Sequence, residues 1–334
     1  MDDALPRREG LLGAIEWVLA RALFPILLGG SVWYAIARME AGATPEAAIL
    51  LPTIAAYPIL ALLERFFYWQ PRWLHSQGDL GVDVGHLLVS GLLTTELLKI
   101  PFTIAAVALA ARLADAMGGS LWPSQWSLWA QLPLALVFGE FFMYWVHRLG
   151  HEVDWLWRFH AMHHSAPRLY FLNAVRFHPV DIAISTFAPM VPLIVVGADG
   201  RVIALFGLVS AVHGLFQHAN LVLRLGPLNW IFSMAELHRW HHSRLLHEAN
   251  TNFGQNLIVW DVVFGTRFLP KDRMPPSDIG IADLPTFPMD YMGQLLSPLR
   301  WRTIQATSAA AGGASAWTEP GAGAAAGAPP AVGR

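Results

Sequence analysis

Residues 140–164 read EFFMYWVHRLGHEVDWLWRFHAMHH. The stretch begins as an apolar helix carrying Glu140 and then delivers two histidine boxes. His147 and His151 form HxxxH; His160, His163 and His164 form HxxHH. The second pattern returns far downstream as HRWHH, with His238, His241 and His242. Helical residues three or four apart share a face, so each box points its imidazoles one way, as a metal site requires. Histidine makes up 14 of 334 residues. At that frequency two HxxHH boxes and an HxxxH arise by chance in well under ~1% of chains.

The chain around the boxes is 54% hydrophobic and only 14% charged, with a mean hydropathy of +0.41. Soluble domains average roughly 25% charged residues, so an all-α, polytopic integral membrane protein is predicted. The net charge of -2 argues against nucleic acid as a partner. The absence of cysteine excludes disulfides, iron–sulfur clusters and thiolate haem ligation. No small-residue cleavage site follows the first apolar run, so no cleavable signal peptide is expected.

Apolar runs predict four spans, over about 11–37, 47–69, 84–113 and 128–146, the third with a possible kink at Pro101. The Trp-rich loops between them suit the membrane interface. Runs at about 180–196 and 202–223, joined by GADGR, predict a helical hairpin that either crosses or re-enters. With Arg7 and Arg8 cytoplasmic, Arg148, Arg158, Arg168 and Arg176 fall on the same side, which puts the boxes at the cytoplasmic face, close to the bilayer surface. The expected divisions are 1–79 for the N-terminal membrane helices, 80–270 for the catalytic region, 271–302 for an extension and 303–334 for a disordered Ala/Gly-rich tail.

Neutral imidazole is a common ligand for iron, zinc and copper. The boxes hold eight histidines, whereas one tetrahedral zinc takes at most four. Two metals are therefore indicated. Nitrogen-rich ligation without thiolate suits redox-active iron, with zinc left open as a substitute. Outside the boxes, His178 in VRFHPVD, His218 in FQHANL and His213 five residues before it are further ligand candidates, whereas His75, His86 and His247 read as surface or packing residues. Glu140, Tyr144, His147 and His151 form one stripe, and a buried Glu140 needs a partner, for which His147 is the natural choice. Glu152, Asp154, Asp181, Glu236 and Asp261 are further acids that could orient imidazoles.

With HRLGH, HAMHHS, RFHPVD, HRWHHS and NFGQNLIVWDVVFGT in that order, the chain resembles the fatty acid hydroxylase superfamily, the sterol desaturase-like membrane di-iron proteins. The resemblance runs from about Leu80 to Pro270 and is similar to the bacterial branch, with HEVDWLWRFHAMHHS also resembling the alkylglycerol branch. It implies four transmembrane helices under a cytosolic His-rich cap holding two iron ions. It implies His147, His151, His160, His163, His164, His238, His241 and His242 as ligands, joined by His218, with His178 and His213 competing for a remaining position. The superfamily's intermediate HxxxH is absent here, since His213 and His218 stand one residue too far apart. Glu152 matches an acid of the alkylglycerol branch and is expected, with Glu140, to serve catalysis.

The implied reaction takes O2, abstracts hydrogen from an unactivated C–H bond of a lipid and returns hydroxyl, or removes a second hydrogen to leave an alkene. The sequence carries no haem motif and no dinucleotide-binding domain, so a separate ferredoxin or cytochrome donor is expected. The rival readings are a metal-binding or metal-transporting membrane protein without redox chemistry and a non-catalytic lipid binder. A transporter would place its ligands near mid-span, whereas these boxes sit at span ends.

Overall fold

The helical periodicity becomes a bundle of long helices in a computed structural model that describes residues 8–312. Arg7, on which the orientation argument partly rests, and residues 313–334 of the tail lie outside the described residues. Among the described residues, five helices are long and apolar enough to cross a membrane: α1 (Gly10–Glu40), α2 (Pro45–Phe66), α3 (Leu80–Met117), α4 (Leu128–Glu152) and, after a short α5 (Asp154–His164) and the shorter α6 (Pro179–Val195), α7 (Gly200–His218). Two further short helices, α8 (Ala235–His241) and α9 (Trp301–Ala310), belong to the cap and its extension.

Local chemistry sets the helix ends. The Thr44 hydroxyl accepts from Ala47 N–H, with Pro45 behind it in the first turn of α2. Asp199 accepts from the N–H groups of Arg201 and Val202 and opens α7. Between α6 and α7, Gly197 turns at φ +101°, and a Cβ there would stand 2.0 Å from Ser120 Oγ. The Ser120 hydroxyl donates to the Val196 carbonyl at 3.2 Å, so the α6–α7 turn reaches the loop joining α3 to α4. The hairpin thus runs the full depth of the bundle.

Two packing units result. α7 packs on α1 and α2, while α6 packs on α3 and α4; α4 also touches α7 and joins the units. α3 is the outermost helix, and Leu97, Ile100 and Ile104 on it are each about two-thirds exposed, as befits a lipid-facing surface. It runs uninterrupted through Pro101; its irregularity is instead a π-helical stretch at His86–Leu93.

Buried charges tie the cap to the bundle. Arg168 clasps Asp79 through Nε at 2.6 Å and NH2 at 3.0 Å. Arg176 Nε reaches Asp83 at 2.6 Å, with Tyr170 donating to the same carboxylate. Glu64, near the end of α2, is buried and accepts from Phe171 and Asn220 N–H. The extension is also ordered. Gln294 accepts from His86 and donates to Ser165, and Trp301 and Ile304 pack with Ala161 and Met162 of α5. Residues 303–310, expected to be disordered, are the body of α9, because this contact buries their apolar face.

Candidate metal centre

α4 runs six residues past its expected end at Val146 and carries His147 and His151 to the cap. α5 follows after Val153 and presents His160, His163 and His164; α8 presents His238, His241 and His242; His218 ends α7. Nine of the eleven candidate histidines meet in two groups. The first is His147, His151, His160, His164 and His241; the second is His163, His218, His238 and His242. Within each group the ligand atoms lie within 4.8 Å of one another.

The two HxxHH boxes are used reciprocally. The first and last histidines of the α5 box, His160 and His164, join the first group, while His163 crosses to the second. In the α8 box His238 and His242 join the second group, while His241 crosses to the first. The groups share a wall where His164 stacks on His242, with centroids 4.5 Å apart.

The tautomers follow from the partners. His147 Nδ1 meets the Phe253 carbonyl at 2.6 Å, and His241 Nδ1 the Thr251 carbonyl at 2.7 Å. His151 Nδ1 meets Asn250 Oδ1 at 3.1 Å, His218 Nδ1 meets Asn173 Oδ1 at 2.8 Å, and His160 Nδ1 meets Asp181 Oδ2 at 2.9 Å. Each partner only accepts, so each Nδ1 carries the proton and each Nε2 keeps a lone pair. In the first group Nε2 of His147, His151, His160, His164 and His241 is buried with no hydrogen-bond partner. A buried polar atom left unpaired costs about 1–3 kcal/mol, so five in one pocket are poorly explained except as metal ligands.

In the second group His238 Nε2 stands 2.9 Å from His218 Nε2 and 3.0 Å from His242 Nε2. Neighbouring ligands on one ion at about 2.1 Å are separated by about 3 Å when the ion is octahedral, so this spacing fits nitrogens converging on one cation. Burial first, and neighbouring imidazoles second, hold His163, His164, His238, His241 and His242 well below the usual histidine range. The rings are therefore neutral, as metal ligation requires.

The loop 250–256 supplies three of these acceptors and is itself pinned. Asp261 accepts from Phe253 and Gly254 N–H at 2.8 and 2.7 Å, and burial pushes its carboxyl up to about 6. Glu140 accepts from Gln255 and Asn256 N–H. It therefore finds its partner in this loop rather than in His147. Among the acids named from sequence, Asp181 touches a grouped histidine directly.

Other expected residues fall outside both groups. His178 caps α6, accepting from Val180 N–H through Nδ1 and donating to the Leu295 carbonyl through Nε2. His213 is buried edge-on against Phe24 at 5.4 Å. Its separation of five residues from His218 turns it about 140° around α7. Glu152 is exposed and paired with Arg148 at 2.8 Å, away from the imidazoles. Asn173 and Asn250 were missed from sequence, because only the folded loops bring their amide oxygens to His218 and His151.

A cavity of about 350 Å3 adjoins the groups, and His147, His160, His163, His218 and His238 form its inner end. Its walls are apolar side chains of α4, α6 and α7, among them Met143, Ile182 and Leu215. This size is within the range of small-molecule sites.

The fatty acid hydroxylase profile matches residues 132–266, which contain every histidine of both groups. Ornithine lipid hydroxylase OlsE of Rhizobium tropici is 39% identical over 252 residues, 75% of this chain and 74% of that one. The chain belongs to the fatty acid hydroxylase family. An alkylglycerol monooxygenase of Xenopus tropicalis is 32% identical over 152 residues, 45% of this chain and 32% of that one. Methylsterol monooxygenase 2-2 of Arabidopsis thaliana is 26% identical over 147 residues, 43% of this chain and 54% of that one. No solved structure gives a significant match. The chain is an integral membrane oxidoreductase acting on lipids, of the non-haem iron monooxygenase type.

Proposed function

We propose that this protein hydroxylates an unactivated C–H bond of a membrane lipid at a di-iron centre, with O2 as co-substrate and electrons from a separate ferredoxin or cytochrome. The reading is carried by the pair of histidine groups opening on one apolar cavity. His147, His151, His160, His164 and His241 would hold one iron; His163, His218, His238 and His242 would hold the other. When bound, the irons supply the oxygen-activating redox chemistry that no side chain in this site has.

The chain's own residues do the rest. Backbone carbonyls, Asn173, Asn250 and Asp181 fix the ring orientations, so little reorganisation is needed when metal arrives. Met143, Ile182 and Leu215 exclude water and hold the reacting carbon beside the metals, where positioning supplies selectivity. The boxes face the cytoplasm of a bacterial inner membrane in this proposal, where a soluble donor can reach them.

A membrane lipid with an amino-acid headgroup is the first substrate to try, given the ornithine lipid named for the Rhizobium relative. The full chain, loaded with ferrous iron, is given reductant, O2 and bacterial lipid extract. One lipid class is expected to gain a single oxygen by mass spectrometry; loss of two hydrogens would mark desaturation instead. Metal-loaded protein that alters no lipid would overturn the reading.

A further inference from the structure

The cavity has a polar inner end and a smooth outer track. On α7, Gly207, Ala211 and Gly214 all line it, and the same face ends in His218. Spacings of four, three and four residues keep these positions on one side of the helix. A Cβ at Gly214 would meet nothing within 4 Å, and one at Gly207 would meet only Met190 Cε, at 3.8 Å. Neither glycine turns the chain, and glycine weakens a helix interior. The missing side chains instead leave open a groove that runs about 16 Å from His218 back to Gly207.

The far wall of this groove is α6, through Ile182, Pro189 and Met190. Tyr57 of α2 and Thr95 of α3 also line the cavity. α2 packs on α1 and α7, while α3 packs on α6, so the two helices flank the cavity without packing along each other. Both are membrane spans, so this gap faces lipid. At the inner end, His147 and His160 line the cavity with buried Nε2 atoms that have no partner.

We propose that the lipid reaches the site sideways from the bilayer, between α2 and α3, and lays one acyl chain along the Gly207–Ala211–Gly214 face of α7. Gly207, with Met190 opposite, sets how long a chain the groove takes. This deepens the lipid-oxidation reading and rests on it.

Full-length protein in detergent is titrated with nitroxide-labelled stearic and decanoic acids, and the immobilised fraction is read by electron paramagnetic resonance. Gly207→Leu and Met190→Trp narrow the same point from opposite helices. Each should weaken stearic acid by ~10-fold or more, as several methylenes lose their burial. Decanoic acid, which stops short of Gly207, should bind as before. Gly214→Leu, close to the metals, should weaken both probes. Gly207→Ala, whose methyl meets Met190 at an ordinary distance, should fold normally and give a smaller loss for stearic acid alone. Iron content, measured in parallel, should not change in the two narrowing variants. Equal effects on both chain lengths, no effect on either, or a wild type that binds neither probe would overturn the proposal. Chain-length selection by a protein that oxidises no lipid would leave the route standing and sink the oxygenase reading.

Discussion

His163 and His164 are adjacent in the chain and belong to different histidine groups. Successive helical residues diverge by about 100°, which is enough to aim one ring at each cation when α5 lies between them. His163→Ala should therefore empty mainly the second position, and His164→Ala mainly the first. Each variant is expected to retain about one iron per chain while losing lipid oxidation by ~100-fold or more. Elemental analysis beside a turnover assay distinguishes this from a single shared site, in which either change would release all the metal.

Asp181 accepts from His160 Nδ1 at 2.9 Å and also lines the cavity. Asp181→Ala frees the ring to rotate and lowers its basicity. Iron affinity or activity should fall by ~10–100-fold, with helical content by circular dichroism unchanged. An unaltered affinity would show that His160 needs no orienting partner.

Glu152 provides the contrast. It was expected to serve catalysis, yet its carboxylate is exposed and engaged with Arg148 on the outer face of α4. Exposed helical pairs at this spacing contribute about 0.3–0.5 kcal/mol. Glu152→Gln should leave iron content and turnover within about two-fold of wild type, since such a small stability change does not reach the rings. A large loss of turnover would return this residue to the mechanism.

Acidification tests the neutral rings. His164, His241 and His242 are held well below the usual value of 6.5. Below that value the unfolded chain takes up protons that the folded, metal-free chain refuses. Stability is therefore fully present above 6.5 and drains away as pH falls towards the lowered folded values. Melting curves of iron-free protein should shift down as pH falls from about 6.5 to about 5, and loaded protein should release iron over the same range. A flat profile would mean that the rings are not buried as described.

The box histidines and the spans were legible because both depend on local spacing: three or four residues for a shared face, about twenty apolar residues for a crossing. The sorting of His160, His163 and His164 between two groups was not, since it depends on where α5 lies against α8. Glu140 was rightly marked as needing a partner, but its loop comes from more than a hundred residues downstream. His213 stood close enough to His218 in sequence to compete, and the helical angle removed it. Residues 303–310 were read with the tail because their composition is dominated by small residues, which hides the packing of Ile304 with Ala161 and Met162 of α5.

Two irons should sit in these two nests of imidazoles. Protein produced in iron-57 and purified without oxygen should be counted by elemental analysis and examined by Mössbauer spectroscopy before and after O2. About two irons per chain, high-spin ferrous before oxygen and antiferromagnetically coupled after it, is the expected result. A single iron, or two that remain magnetically independent, would contradict it.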